Sequence, residues 1–458
     1  MSLLIIIPAF LVTIGVLVTV HEFGHFWVAR KLGVKVLRFS VGFGKPLWRR
    51  VSRDADQVEY VLAALPFGGY VKMLDERECE EGCAIPAQEL PRAFNRQPVW
   101  KRAAIVIAGP LANFLLAIAV YAAIGLLGQD VRYPYVEAEA GKPAEKAGFQ
   151  AGDLVLSING KSIASMNEMP MRLIDGYFAA PEHRVVVGVK TQDGVNAERV
   201  LELKDAALLE EDSDVMDKLG FNAWAPPFDA VLEKVLPDSV AEKAGLLAGD
   251  KILQADGLVI RNPGQLSQYI AGQVDKTITL RVRRADGEHD FQVVPKMDAE
   301  HKRVMVGIAF QPPPDSLREK LFFEQSFGLV DALLSGFERT ADTSIMTLKL
   351  MGRMLTGEVA LKNISGPVTI AQFAGVSASY GLTYYLGFLA VVSVSLGVLN
   401  LLPIPMLDGG HLMYYLIELV KGSPVSEDVE AAGFRLGMAI IACLMMLALY
   451  NDFMRLMN

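Results

Sequence analysis

The stretch LLIIIPAFLVTIGVLVTV-HEFGH, running from Leu3 to His25, decides the fold. Its first 18 residues, Leu3–Val20, carry no charge. A helix needs about 20 apolar residues to cross a bilayer, so this run is predicted to span one. Three further stretches have the same character: Ala103–Leu127, Tyr384–Leu402 and Ala431–Tyr450. The last carries only Arg435 near its start, where a long side chain can reach the interface. Neither a basic leader nor a small-residue cleavage site accompanies the first run, so it is expected to stay as a helix.

The composition of the whole chain agrees. Of 458 residues, 52% are hydrophobic with the 40 glycines left out, and 21% are charged. That excludes a disordered chain, a collagen repeat and a small disulfide-stapled domain. A net charge of −8, from 44 Lys and Arg against 52 Asp and Glu, lacks the basic footprint of a nucleic-acid binder, and no such partner is expected. The expected class is a polytopic α-helical membrane protein whose spans are interrupted by a long polar middle.

Lys and Arg near span ends set orientation. Arg30, Lys31, Lys35, Arg38, Lys45, Arg49 and Arg50 follow the first span, and Arg92, Arg96, Lys101 and Arg102 precede the second. The chain beyond the second span offers only Arg132, Lys142 and Lys146 nearby. Residues 30–102 are therefore expected in the cytoplasm, with both termini and the middle section across the membrane. Cys79 and Cys83 fall in the cytoplasmic loop, have no second pair, and read as free thiols.

The middle section contains a repeat. KPAEKAGFQAGDLVLSING (Lys142–Gly160) and DSVAEKAGLLAGDKILQADG (Asp238–Gly257) align at an offset of 97, with Gly148 on Gly245, Gly152 on Gly249, Asp153 on Asp250 and Gly160 on Gly257. Each copy reads as a short helix ending at Gly, then a strand closed by a tight turn. The pattern resembles bacterial PDZ domains, β-rich α+β folds. Leu219-Gly220-Phe221 and Val306-Gly307-Ile308 stand where the peptide-binding loops would be, 87 apart, so the first copy carries about ten extra residues, which the acidic stretch Glu210–Asp214 could hold. Such a loop offers N–H groups to a C-terminal carboxylate, and the groove beside it adds a peptide strand. The plainer role is obstruction of access without any grip. Pro312-Pro313-Pro314 ends the second copy, and Leu317–Leu355 reads as an amphipathic helical brace on the membrane surface.

His21-Glu22-Phe23-Gly24-His25 is H-E-x-x-H. On a helix, residues four apart share a face, so both imidazoles can hold one zinc ion with Glu22 beside them as general base. Three ionisable side chains closing an apolar run are costly without a purpose. Zinc needs a third protein ligand, leaving a fourth position for water. His183, His289 and His301 lie in the outer section, so Asp408 and His411 are the candidates, and spacing alone does not separate them. Both follow Asn400-Leu-Leu-Pro403-Ile-Pro405, whose prolines stop the third span. The first and third spans run in the same direction, so H-E-x-x-H and the Asp408 stretch meet the same leaflet.

H-E-F-G-H on a first span, N-x-x-P-x-P-x-L-D-G after a third, and paired PDZ-like repeats between the second and third resemble the site-2 protease family of intramembrane zinc metalloproteases, in its bacterial form acting on sigma-E regulation. Gly109-Pro110-Leu-Ala-Asn113 and Ser365-Gly366-Pro367 fit as well. The resemblance implies that His21, His25 and Asp408 bind Zn2+, that Glu22 activates water, and that Asn400, Pro403 and Pro405 position substrate. It also implies a re-entrant β-element in Lys35–Phe43 and Glu59–Lys72, with Gly42 and Phe43 touching an unwound substrate by strand addition; an ordinary cytoplasmic hairpin is the alternative. The implied substrates are single-span membrane proteins, such as a trimmed anti-sigma factor or remnant signal peptides, in the bilayer of a bacterial inner membrane. The implied arrangement is 1–128 with two spans, the metal motif and the β-element; 129–222 and 223–314 as periplasmic PDZ domains; 315–383 as the linker; and 384–458 with two spans and Asp408. A membrane-anchored PDZ adaptor with a structural metal site is the competing function.

Overall fold

The computed structural model describes residues 3–78, 85–179, 184–203, 215–237, 239–298, 303–357, 362 and 364–457. Cys79, Cys83, His183, His301 and the Glu210–Asp214 stretch lie outside the described residues. The chain divides into two compact units, one formed mainly by 1–129 and 325–458, the other mainly by 130–208 and 212–324.

The first unit is built on α1 (Leu3–Lys31) and α2 (Val99–Leu127), with α3 (Leu329–Thr356), α4 (Pro367–Ser379), α5 (Leu382–Asn400), α6 (Asp408–Lys421) and α7 (Glu427–Met457). Four of these are long and apolar enough to cross a membrane: α1, α2, α5 and α7. The first span differs from its sequence outline in one respect. H-E-F-G-H does not close the helix, because Phe26, Trp27, Val28 and Ala29 continue it to Lys31, where Gly33 at φ 85° turns the chain. At 1.5 Å per residue, α1 is about 44 Å long, and the motif is carried inside a continuous rod.

The spans approach closely where side chains are small. A Cβ on Gly24 of α1 would lie 2.2 Å from the Ala108 carbonyl of α2, and one on Gly336 of α3 would lie 2.6 Å from the Ile118 carbonyl. Leu17, Ala117, Val120, Leu389, Ala390 and Val394 form the buried core between α1, α2 and α5. The brace predicted over Leu317–Leu355 is not one helix. Asp315–Leu321 is helical, Phe322–Gln325 is a strand favoured by its paired phenylalanines, and α3 starts afresh after Gly328.

Two strands, β1 (Val36–Val51) and β2 (Glu59–Met73), follow α1. Turns at Gly42 (φ 91°) and Gly68 (φ 111°) fold each strand on itself. Segment Arg38–Val41 faces Gly69–Lys72 on one side and Glu59–Leu62 on the other, and Glu59–Leu62 also pairs with Trp48–Val51. The β-element is thus a four-segment sheet rather than a simple hairpin. Phe26, Ala29, Val36, Phe39, Val58 and Ile105 bind it to α1 and α2.

The second unit repeats one topology. Its first sheet runs Asn196–Glu202, Arg184–Lys190, Asp153–Ile158, Tyr135–Ala138, Phe221–Ala223; its second runs Gly287–Val293, Ile278–Arg284, Lys251–Ala255, Ala230–Val235, Ile308–Phe310. The aligned A-E-K-A-G runs form matching short helices, Pro143–Lys146 and Val240–Lys243. Gly148 (φ 83°) and Gly245 (φ 91°) end them in the left-handed conformation, for which a residue without Cβ is suited.

Candidate metal centre

His21 and His25 stand one turn apart on α1, with ring centroids 4.8 Å apart and planes at 84°. His25 Nδ1 lies 2.8 Å from the carbonyl of Ile105 on α2. A carbonyl only accepts, so Nδ1 carries the ring proton and Nε2 keeps a free lone pair. Both rings rest on Gly109: a Cβ there would lie 2.2 Å from His25 Nε2 and 2.9 Å from His21 Cε1. Gly109 is therefore the floor of the site.

Asp408 arrives from the other end of the chain. After α5 stops at Asn400, the loop with Pro403 and Pro405 turns through Met406 at φ 96°, and Asp408 opens α6. Gly409 and Gly410 allow that first turn to press on the loop; added Cβ atoms would lie 2.2 Å from the Leu402 carbonyl and 2.4 Å from that of Ile404. A positive φ at a methionine is a strained conformation kept by its surroundings.

Three atoms then form a triangle: His21 Nε2 to His25 Nε2 is 3.2 Å, His21 Nε2 to Asp408 Oδ2 is 3.2 Å, and His25 Nε2 to Asp408 Oδ2 is 3.5 Å. A tetrahedral ion with ligands at about 2.05 Å has edges of about 3.3 Å between them. Asp408 Oδ2 is buried and accepts no well-formed hydrogen bond, although two ring nitrogens face it. An acceptor left bare beside two nitrogen donors to metal fits a cation with N and O ligands. Among the described residues, these three are the group able to hold one ion, and His411 is not part of it.

Glu22, Asn400, Asp408 and His411 line a cavity of about 710 Å³ with the two histidines, bordered by Gly69–Met73 of β2. A Cβ on Gly69 would lie 2.9 Å from Glu22 Cγ, so this strand passes directly against the predicted base. Pro405 lines a neighbouring cavity with Met406 and Tyr414, while Pro403 lines neither. Gly42 sits at the fold of β1, and Phe43 stacks on Tyr70 (centroids 6.1 Å, planes 11° apart), which itself lines the metal cavity. In the other unit, Leu219, Phe221 and Val306 are buried, and Gly220 (φ 79°) and Gly307 (φ 83°) precede or enter the end strands of the two sheets beside Ile308.

Sequence reasoning gave Asn113 no role at the site. Its Nδ2 lies 3.2 Å from His21 Nδ1, and it is the lone amide side chain in the Ala103–Leu127 run, which was the available signal.

Known proteins match this sequence over its whole length. The model of "Peptidase family M50" matches residues 9–444. The regulator of sigma-E protease RseP of Escherichia coli (strain K12) is 37% identical over 98% of both chains. The regulator of sigma E protease of Haemophilus influenzae is 38% identical over the full length of both. A Vibrio cholerae relative named as a zinc metalloprotease is 38% identical over 98% of both. A chain matched from end to end in this way belongs to peptidase family M50.

Proposed function

We propose that this peptidase is an intramembrane zinc endopeptidase that cuts transmembrane segments of single-span proteins. Its substrates on this reading are a trimmed anti-sigma factor in envelope-stress signalling and remnant signal peptides. The triangle of His21 Nε2, His25 Nε2 and Asp408 Oδ2, with both histidines on a helix of spanning length, is the observation that carries the reading. Relatives named for sigma-E regulation support the pathway.

Each residue has a part. His21, His25 and Asp408 hold the ion. Zinc, when bound, polarises the scissile carbonyl and makes a water acidic enough to attack near neutral pH. Glu22 takes the proton from that water and delivers it to the leaving nitrogen. A substrate helix in lipid uses its backbone hydrogen bonds internally, so cutting it requires unwinding and new partners. The Gly69–Met73 segment at the cavity wall supplies such partners through strand addition. Asn400 reaches the cavity from the end of α5 and orients the substrate.

The excess of Lys and Arg in 30–102 supports a cytoplasmic location for that loop, an active site near the cytoplasmic face, and periplasmic termini in a bacterial inner membrane. The two matching sheets are read as tandem PDZ domains, with Gly220 and Gly307 in the peptide-binding loops. Their position between the second and third spans suits a filter against substrates with bulky outer domains.

Glu22→Gln tests the reading in purified full-length protein with a model single-span substrate. The expected result is complete loss of cleavage with zinc still bound. Cleavage at wild-type rate would refute the assignment of Glu22. If the wild type holds zinc, leaves every single-span candidate intact and binds C-terminal peptides, the adaptor reading replaces the protease one.

A further inference from the structure

We propose that Asn113 is the positioning residue for His21: its amide oxygen accepts the Nδ1 proton and so turns a bare Nε2 toward the metal. This rests on the zinc reading of His21, His25 and Asp408.

Asn113 is fully buried on α2. Its Nδ2 lies 3.2 Å from His21 Nδ1, while its Oδ1 is buried with no donor among the described residues. Ser393 Oγ on α5 donates to the Asn113 main-chain carbonyl at 2.8 Å, pinning the residue from the far side. The two ends of an amide exchange by a half-turn about Cβ–Cγ with almost no change of shape. With Nδ2 toward the ring, the amide donates to Nδ1 and the ring proton sits on Nε2, aimed at His25 Nε2 3.2 Å away. An imidazole in that tautomer has no lone pair on Nε2 to offer a metal. With Oδ1 toward the ring, Nδ1–H has an acceptor at the same distance, Nδ2 takes the buried place that Oδ1 leaves, and Nε2 is free. The orientation of one amide thus decides whether His21 Nε2, the nitrogen that faces His25 and Asp408, is free to ligate.

The two histidines are held by different means. The Ile105 carbonyl fixes His25 and can only accept. His21 depends on a side chain, which makes its tautomer open to substitution. Partners of this kind typically change metal affinity 10- to 100-fold.

The test is zinc retention by the detergent-solubilised full chain against a graded chelator, with thermal unfolding and substrate cleavage recorded alongside. Asn113→Leu keeps the volume and removes the acceptor; Asn113→Ala replaces it if that variant does not accumulate. Asn113→Asp keeps the acceptor, and Ser393→Ala perturbs the packing around Asn113 without touching its amide. The expected result is about 10- to 100-fold weaker zinc retention in Asn113→Leu, with Asn113→Asp and Ser393→Ala within a few fold of wild type. Wild-type retention in Asn113→Leu overturns the proposal. So does an equal loss in Asn113→Asp or in Ser393→Ala, which would make the effect one of packing. A wild-type chain that binds no zinc would instead defeat the metal-site reading itself.

Discussion

Gly109→Ala adds one methyl group and removes no polar atom, yet it should abolish the centre. The new Cβ would stand 2.2 Å from His25 Nε2, 2.5 Å from its Cε1 and 2.9 Å from His21 Cε1. Carbon-centred contacts are comfortable from about 3.5 Å, so the His25 ring must retreat by about 1.3 Å. The helices cannot separate to make room cheaply, because Gly24 already sits against the Ala108 carbonyl one residue away on α2. A metal site tolerates only about 0.2 Å in its ligand distances. The triangle of 3.2, 3.2 and 3.5 Å is therefore lost, and a displacement of this size costs about 100-fold or more in rate. The fold should survive: overpacking costs about 1–3 kcal/mol, against about 1 kcal/mol gained from replacing glycine by alanine in a helix. Gly15→Ala is the control, since a Cβ there meets nothing within 4 Å. The assay is cleavage of a single-span substrate, with bound zinc and unfolding temperature measured on the same preparations. Gly109→Ala within threefold of wild-type activity would refute the reasoning.

Two further tests concern other parts of the chain. Burial disfavours the charge on Asp250, but Arg284, donating twice at 2.7 Å, and the Leu247 N–H at 2.8 Å outweigh it and hold the carboxyl below its ordinary 3.8. Its contribution to the second repeat is present above 3.8 and is lost as pH falls through the lowered value, so protease resistance of that repeat in the full chain should drop as the pH is taken below 3.8. Arg284→Met should remove this acid dependence, and an unchanged profile would count against the pair. Gly366 has no side chain to cap α4, and Asp452 of α7 does so instead, accepting from the N–H groups of Gly366 at 2.9 Å, Val368 at 2.8 Å and Thr369 at 3.2 Å. Asp452→Ala should destabilise the chain by about 2 kcal/mol in detergent unfolding, with Asp452→Asn recovering part of it; an unchanged midpoint would contradict the cap.

What could be read in advance follows the range of the interactions. H-E-x-x-H was legible because four residues on a helix are local geometry, and the offset of 97 was legible because a repeated sequence repeats its sheet. Asp408 was reachable only through resemblance: nothing in spacing distinguishes it from His411, and the decision is made by how α6 packs on the Pro403–Pro405 loop. The continuation of α1 to Lys31 is not legible in charge, because the uncharged run stops at Val20 while the helix goes on through His21 and Glu22. The β-element was recognised as strands, but its folding at Gly42 and Gly68 and the resulting register depend on pairings between segments distant in the chain. Asn113 could not be assigned because a lone amide in an apolar run has many structural uses, and its tie to His21 exists only once α1 and α2 are packed.

The site is shared between two segments far apart in the sequence, with His21 and His25 inside α1 and Asp408 opening α6. During synthesis the ribosome releases the two imidazoles hundreds of residues ahead of the carboxylate, because Asp408 follows His25 only after the outer section and the second and third spans. On the zinc reading, a nascent molecule that has not yet reached α6 is an inert membrane protein with an incomplete cage.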